Sequence, residues 1–215
     1  MGWADVHGKP HEGTTGKAVR PALCLFACEA VGGSVDHAMP GAVALELIHN
    51  FSLIHDEIQD CDEIRHNRPT LWATWGTPRA LIAGNVLRLI ADMTMEKLAE
   101  EGANSAKVEE AIELVTEAYL EMIEGQYLDL SYEGLPNIGM SKYIDMIGKK
   151  SGALIRCALN IGAILGTHDP VKIRAFREFG KSLGFVFQIR DDILGIWGNP
   201  KHTGKPVGGD IKRRK

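Results

Sequence analysis

The sequence contains no apolar run long enough to span a membrane. It also lacks the basic excess of a nucleic-acid binder: 24 Lys and Arg face 28 Asp and Glu, a net charge of −4. Its four cysteines (Cys24, Cys28, Cys61 and Cys157) include no CxxC pair, which argues against a zinc site. Cys24 and Cys28 lie one helical turn apart in an apolar run and read as reduced core thiols. Alternating β-branched segments are nearly absent, which excludes a sheet-based fold. No internal repeat and no low-complexity stretch occurs. The polar first sixteen residues lack the apolar core of a signal peptide. The expected protein is soluble and cytoplasmic.

What is present is a globular balance, 45% hydrophobic and 24% charged over 215 residues, enough for one domain spanning 1–215. Helical spacing runs through it. A first helix is predicted over 17–31, stopping at Gly32-Gly33. A second, capped near Ser34 to Asp36, runs through VALELIHNFSLIHDEIQD. A loop broken by Pro69, Gly76 and Pro78 covers 65–78. Further helices are predicted over 79–101, 105–131, 139–166 and 171–197. The fold class is all-α, a bundle of long antiparallel helices around a central space.

The chemistry concentrates in two acidic segments. Asp56 and Asp60 are four residues apart, hence on one helix face. With Glu57, Asp62 and Glu63 they form a like-charged cluster that needs a counter-ion. Oxygen-only ligands suit magnesium, which binds through one or two carboxylates plus substrate phosphates. On spacing alone a solvated acidic helix end is the commoner explanation. The apolar segment before the cluster, and Arg65 and Arg68 just after it, favour a metal–diphosphate site. His49, Leu53, Asp56 and Asp60 fall on one stripe. The second segment, FQIRDDILGIWG, places Gln188, Asp191 and Asp192 on one face, with Lys205 downstream.

Five motifs, in order, resemble those of the trans-isoprenyl diphosphate synthases. They are GKAVRPA, HDEIQD with RHNRPT, EGQYLDL, GKKSGALI, and FQIRDDILGIWG with TGKPVGGDI. The resemblance implies the isoprenoid synthase fold, a homodimer, and condensation of an allylic diphosphate with isopentenyl diphosphate. It implies three magnesium ions per site: two on Asp56 and Asp60, the third on Asp191. Arg65, Lys150 and Lys205 match grips for the allylic diphosphate. Lys17, Arg20, His49 and His66 match positions that hold isopentenyl diphosphate. Lys150, Gln188 and Lys205 match positions at the reacting groups. Phe51 and Ser52, just ahead of Asp56, match positions that limit product length. Phe51 lies about 7.5 Å down the helix axis from Asp56 at 1.5 Å per residue. That bulk implies a short product, farnesyl to geranylgeranyl diphosphate.

The sequence departs from the family pattern at Glu57, His66, Asn85 and Gly195. It also looks shortened at both ends relative to the family. A class I terpene cyclase and a non-catalytic partner subunit of an active synthase are the alternatives.

Overall fold

The computed structural model describes Lys9, residues 17–65 and residues 68–198. Helices dominate, as predicted. α1 (Val19–Ala30) and α2 (Val35–Gln59) are separated at Gly32, whose φ of +98° suits a residue without a Cβ. Ser34 starts α2, its hydroxyl accepting from the Asp36 N–H at 3.4 Å. Pro40 lies inside α2 without ending it.

The predicted loop over 65–78 has structure of its own. β1 (Ile64–Arg65) pairs antiparallel with β2 (Arg68–Pro69), and a short α3 (Leu71–Trp75) follows. The segment is stapled beneath the end of α2. Thr70 Oγ1 and Trp72 Nε1 both donate to the Asp62 carbonyl, at 2.8 and 2.9 Å. These side-chain bonds have no hydrophobic period, so spacing could not reveal them.

α4 runs from Thr77 to Glu96 and ends earlier than predicted; Lys97 to Gly102 form turns, closed by Gly102 at φ +90°. α5 (Ser105–Tyr132) is capped by Asn104, which accepts from the Lys107 N–H at 2.9 Å. The single helix predicted over 139–166 is three pieces: α6 (Met140–Ile147), a π-helical turn over Gly148–Gly152, and α7 (Ala153–Gly166). A π-turn keeps the chain helical while shifting its register, and such turns cluster at functional sites. α8 (Pro170–Trp197) is capped by Asp169, with Pro170 in its first turn.

α7 is the axis of the bundle. From Ala153 to Leu165 only Arg156 escapes burial, the mark of a helix apolar all round. It packs against α1 and α8, while α2 packs mainly against α4. The core joins Leu45, Ile48, Leu98, Val115, Leu154 and Ile161.

Two close approaches position the site. A Cβ on Gly125 of α5 would lie 2.1 Å from the Lys150 nitrogen. One on Gly184 of α8 would lie 2.7 Å from Gly152 Cα. The π-turn is thus clamped between two bare backbones. Gly125→Ala is expected to cost roughly 1–3 kcal/mol by overpacking. Gly139→Ala, where nothing lies within 4 Å, should stay within about 0.5 kcal/mol of the parent. Urea midpoints of the two variants check this; equal midpoints would refute the clamp.

Candidate active site

α2 ends in a Schellman turn. The Asp62 N–H reaches the Glu57 carbonyl at 2.9 Å, and the Cys61 N–H reaches Ile58 at 3.3 Å. Cys61 takes the left-handed conformation, φ 55°, where glycine is usual. The turn sends the chain back along α2, so that Arg65 returns beside Glu57, Nε to Oε1 at 3.7 Å. Glu57 is buried, and burial pushes its carboxyl up while Arg65 pulls it down. The residue that departs from the family pattern therefore faces an arginine.

Asp56, the preceding residue on α2, is half-buried. Burial pushes its carboxyl up to about 6; Lys150 opposes this, Asp60 adds to it, Arg65 opposes, and Asp129 adds. Groups from α2, α5 and the π-turn therefore converge on this carboxyl. Lys150 Nζ donates to Asp129 Oδ2 at 2.6 Å. Asp129 is buried and was assigned no role from sequence, although EGQYLDL contains it. From the same motif, Gln126 Nε2 donates to Gln59 Oε1 at 2.9 Å, tying α5 to the end of α2.

A second cationic group surrounds His49. Burial first, then Arg20, then Arg65 depress its imidazole to about 2, so it stays neutral. Burial also lowers Arg20 to about 10, against the attraction of Glu46. Among the described residues, the Nε atoms of Arg20 and Arg65 are both buried without a hydrogen-bond partner. Two such donors beside an uncharged ring suit an anion with several oxygens. Lys17 is exposed, three residues before Arg20.

At α8, Asp191 is exposed and Asp192 is half-buried. Asp192 accepts from Tyr143 Oη at 2.5 Å and from Gln188 Nε2 at 2.7 Å. Burial, then the bond to Asp192, push the Tyr143 phenol above its ordinary range, so it remains a donor. Tyr143 was missed from sequence, since nothing in its spacing links α6 to α8. His66 and Lys205 lie outside the described residues.

Phe51 is buried, its ring edge-on to His55 at 4.5 Å and tilted against Tyr119 of α5 at 5.6 Å. The Arg88 guanidinium of α4 lies 4.8 Å over the Tyr119 ring. Ser52 is buried, its hydroxyl donating to the His49 carbonyl at 2.8 Å. Tyr119 and Arg88, like Tyr143, carried no sequence signal.

The donor set was tested for magnesium. Among the described residues, no three His, Cys, Asp or Glu side chains gather into a metal site of their own. Asp56 nonetheless carries a carboxyl whose ionisation is opposed by burial and by Asp60 one turn on, with Lys150 and Arg65 beside it. That fits a hard cation completed by water and diphosphate oxygens.

The polyprenyl synthetase family model matches residues 10–215. A (2E,6E)-farnesyl diphosphate synthase of Mycobacterium tuberculosis is 40% identical over 215 residues, covering 100% of this chain and 58% of the relative. A geranylgeranyl diphosphate synthase of the same organism is 38% identical over 215 residues, covering 100% and 60%. A polyprenyl synthetase structure from Streptomyces coelicolor superposes with a TM-score of 0.89 at 40% identity, covering 100% of this chain and 62% of that one. The chain thus spans about three-fifths of the length of these proteins.

Asp56→Asn in metal-free protein is expected to raise stability at pH 8. The folded carboxyl titrates above its unfolded value, so its ionisation opposes folding as pH rises through about 6. The gain should be on the order of 1 kcal/mol, after discounting for the solvent that reaches a half-buried group. It should shrink as pH falls below about 6. Thermal melts at pH 8 and pH 5 check this; destabilisation at pH 8 would refute it.

Proposed function

The chain belongs to the polyprenyl synthetase family, and from that premise we propose that it is a prenyltransferase. It condenses an allylic diphosphate with isopentenyl diphosphate to a short-chain product, farnesyl to geranylgeranyl diphosphate. One observation carries this reading: the guanidinium Nε atoms of Arg20 and Arg65, which have no hydrogen-bond partner among the described residues, around neutral His49. His49 shares α2 with Asp56, and Asp60 caps the end of the same helix.

The roles follow from the chemistry of each group. Arg65 and Lys150, with Lys205, hold the allylic diphosphate. Lys17, Arg20 and His49, with His66, hold isopentenyl diphosphate; a neutral His49 can donate or accept without changing the charge of the site. Asp56 and Asp60 would hold two magnesium ions, and Asp191 a third. Magnesium supplies, when bound, Lewis-acid neutralisation of the departing pyrophosphate. Arg65 and Lys150 take up further negative charge as the allylic carbon–oxygen bond breaks. The apolar wall around Phe51 keeps water from the electron-poor carbon. Gln188 stands beside that carbon, and the isopentenyl double bond attacks it. The proton released as the new carbon–carbon bond forms passes to the pyrophosphate that Arg65 and Lys150 still hold. Positioning and electrostatics carry the rate, and no nucleophilic side chain is needed.

Residues 1–215 are read as a single isoprenoid-synthase-type domain acting in the cytoplasm as a homodimer. One continuous core from Cys24 to Leu165 supports the first point, and four unpaired cysteines suit the second. The third rests on Ile82, Val86, Leu89 and Met93, an exposed apolar stripe along α4.

Purified protein incubated with magnesium, isopentenyl diphosphate and geranyl or farnesyl diphosphate is expected to yield an elongated diphosphate. A cyclic hydrocarbon would favour a cyclase, and inertness at high protein concentration a partner subunit. Phe51→Ala should shift the product, read by chromatography, toward greater length, since the ring buried against Tyr119 then leaves a cavity. An unchanged chain length would remove Phe51 from that role.

A further inference from the structure

Asp192 belongs to the second acidic segment, yet its two carboxyl oxygens are engaged by donors of the protein. Tyr143 of α6 donates to Oδ2 at 2.5 Å, and Gln188 of α8 donates to Oδ1 at 2.7 Å. A carboxylate only accepts, so each bond fixes the orientation of its donor. The Gln188 contact spans one turn of a single helix. Local contacts of that kind exchange readily with water on a half-buried surface. The Tyr143 contact bridges two helices and locks the Asp192 carboxylate in one plane.

The lock reaches Gln188. Its planar amide has nitrogen at one corner and oxygen at the other. With the nitrogen committed to Asp192, the carbonyl oxygen is the end turned elsewhere. A carbonyl oxygen is the right dipole for an electron-poor allylic carbon, whereas an amide N–H₂ in its place would repel it. Released from Asp192, the amide can flip and exchange the two ends.

Tyr143 also sits seven residues before Lys150 on one uninterrupted helical run, α6 into the π-turn. The same strut therefore touches the acidic turn of α8 through Tyr143 and Asp129 of α5 through Lys150. The diphosphate grip and the Gln188 amide are set by one rigid piece.

We propose that Tyr143 is a positioning residue of prenyl transfer, acting through Asp192 to hold the Gln188 carbonyl oxygen toward the reacting allylic carbon. This rests on the prenyltransferase reading above.

The test pairs kinetics with an observation independent of turnover. Tyr143→Phe keeps the ring and loses only the hydroxyl. It is expected to lower kcat about tenfold, the loss of one charge-assisted hydrogen bond, with both KM values within about twofold. In a Gln188→Ala background the same change should add less than about twofold, because the step it serves is gone. A kcat within twofold of the parent, or an undiminished tenfold loss in the Gln188→Ala background, overturns the proposal. The chain has three glutamines, and Gln59 and Gln126 bond each other. The Gln188 side-chain amide is thus identifiable by ¹⁵N NMR as the pair lost in Gln188→Ala. Tyr143→Phe and Asp192→Asn should each move it; an unmoved signal overturns the relay even if activity falls. If the parent protein makes no elongated product, the prenyltransferase reading fails, and the amide signal still decides the relay.

Discussion

Lys150 reaches both Asp129 and the field of Asp56 because the π-turn can lie directly on α5. At Gly125 the two backbones approach to a distance that no Cβ would permit. A regular helix through 148–152 would place Lys150 in a different register, since a π-turn widens the ring by one residue. The 2.6 Å ion pair with Asp129 therefore depends on two backbone features together, a bare position on α5 and an irregular turn opposite it. The rest of the site is arranged around that ammonium. Asp56 faces it, Gln126 ties α5 to the end of α2, and Tyr143 continues the same strut toward α8.

The arrangement is costly in the free protein. Burial, with Asp60 and Asp129 in the same field, outweighs Lys150 and Arg65, so Asp56 remains raised to about 6. Around His49 the imbalance is reversed, with two guanidinium groups beside a ring that cannot take a proton. Backbone strain sits next to both groups: Cys61 follows Asp60 in a left-handed conformation, and Ala18 precedes α1 in another, at φ 44°. A charged ligand with bound cations would offset both charge imbalances at once. That is how an enzyme keeps binding energy for a state that exists only with substrate present.

What was legible in the sequence was whatever depends on spacing along one element. The Asp56–Asp60 pair and the His49 stripe lie on a single helix, and the structure keeps them on one face of α2. The all-α class followed from periodicity for the same reason. Contacts between elements were not legible. Asp129 lay inside a quoted motif but gained a partner only through Gly125, a residue that reads as neutral. Tyr143, Tyr119 and Arg88 acquire partners from helices distant in sequence, and no pattern along α6, α5 or α4 marks them. The π-turn was missed because a helix of irregular register still looks helical to a count of apolar residues. The ribbon at 64–69 was missed because its stability comes from Thr70 and Trp72 bonding one carbonyl.

Two distinct cationic groups bear on the choice between transferase and cyclase. A cyclase needs one diphosphate grip, since its substrate attacks itself. Here Lys150 serves Asp56 and Asp129 on one side and Arg20 flanks His49 on the other, with Arg65 acting on both Asp56 and His49. Had the second group been a structural ion-pair network, its donors would be spent. Glu46 attracts Arg20 and Glu57 stands beside Arg65, yet among the described residues neither buried Nε has a hydrogen-bond partner. Unsatisfied buried donors cost about 1–3 kcal/mol apiece, a cost that an anion bound between them would offset. Their persistence beside a neutral, half-buried imidazole argues for a second anion. The proposed transfer between two diphosphate substrates requires a second anion site, and a cyclisation does not.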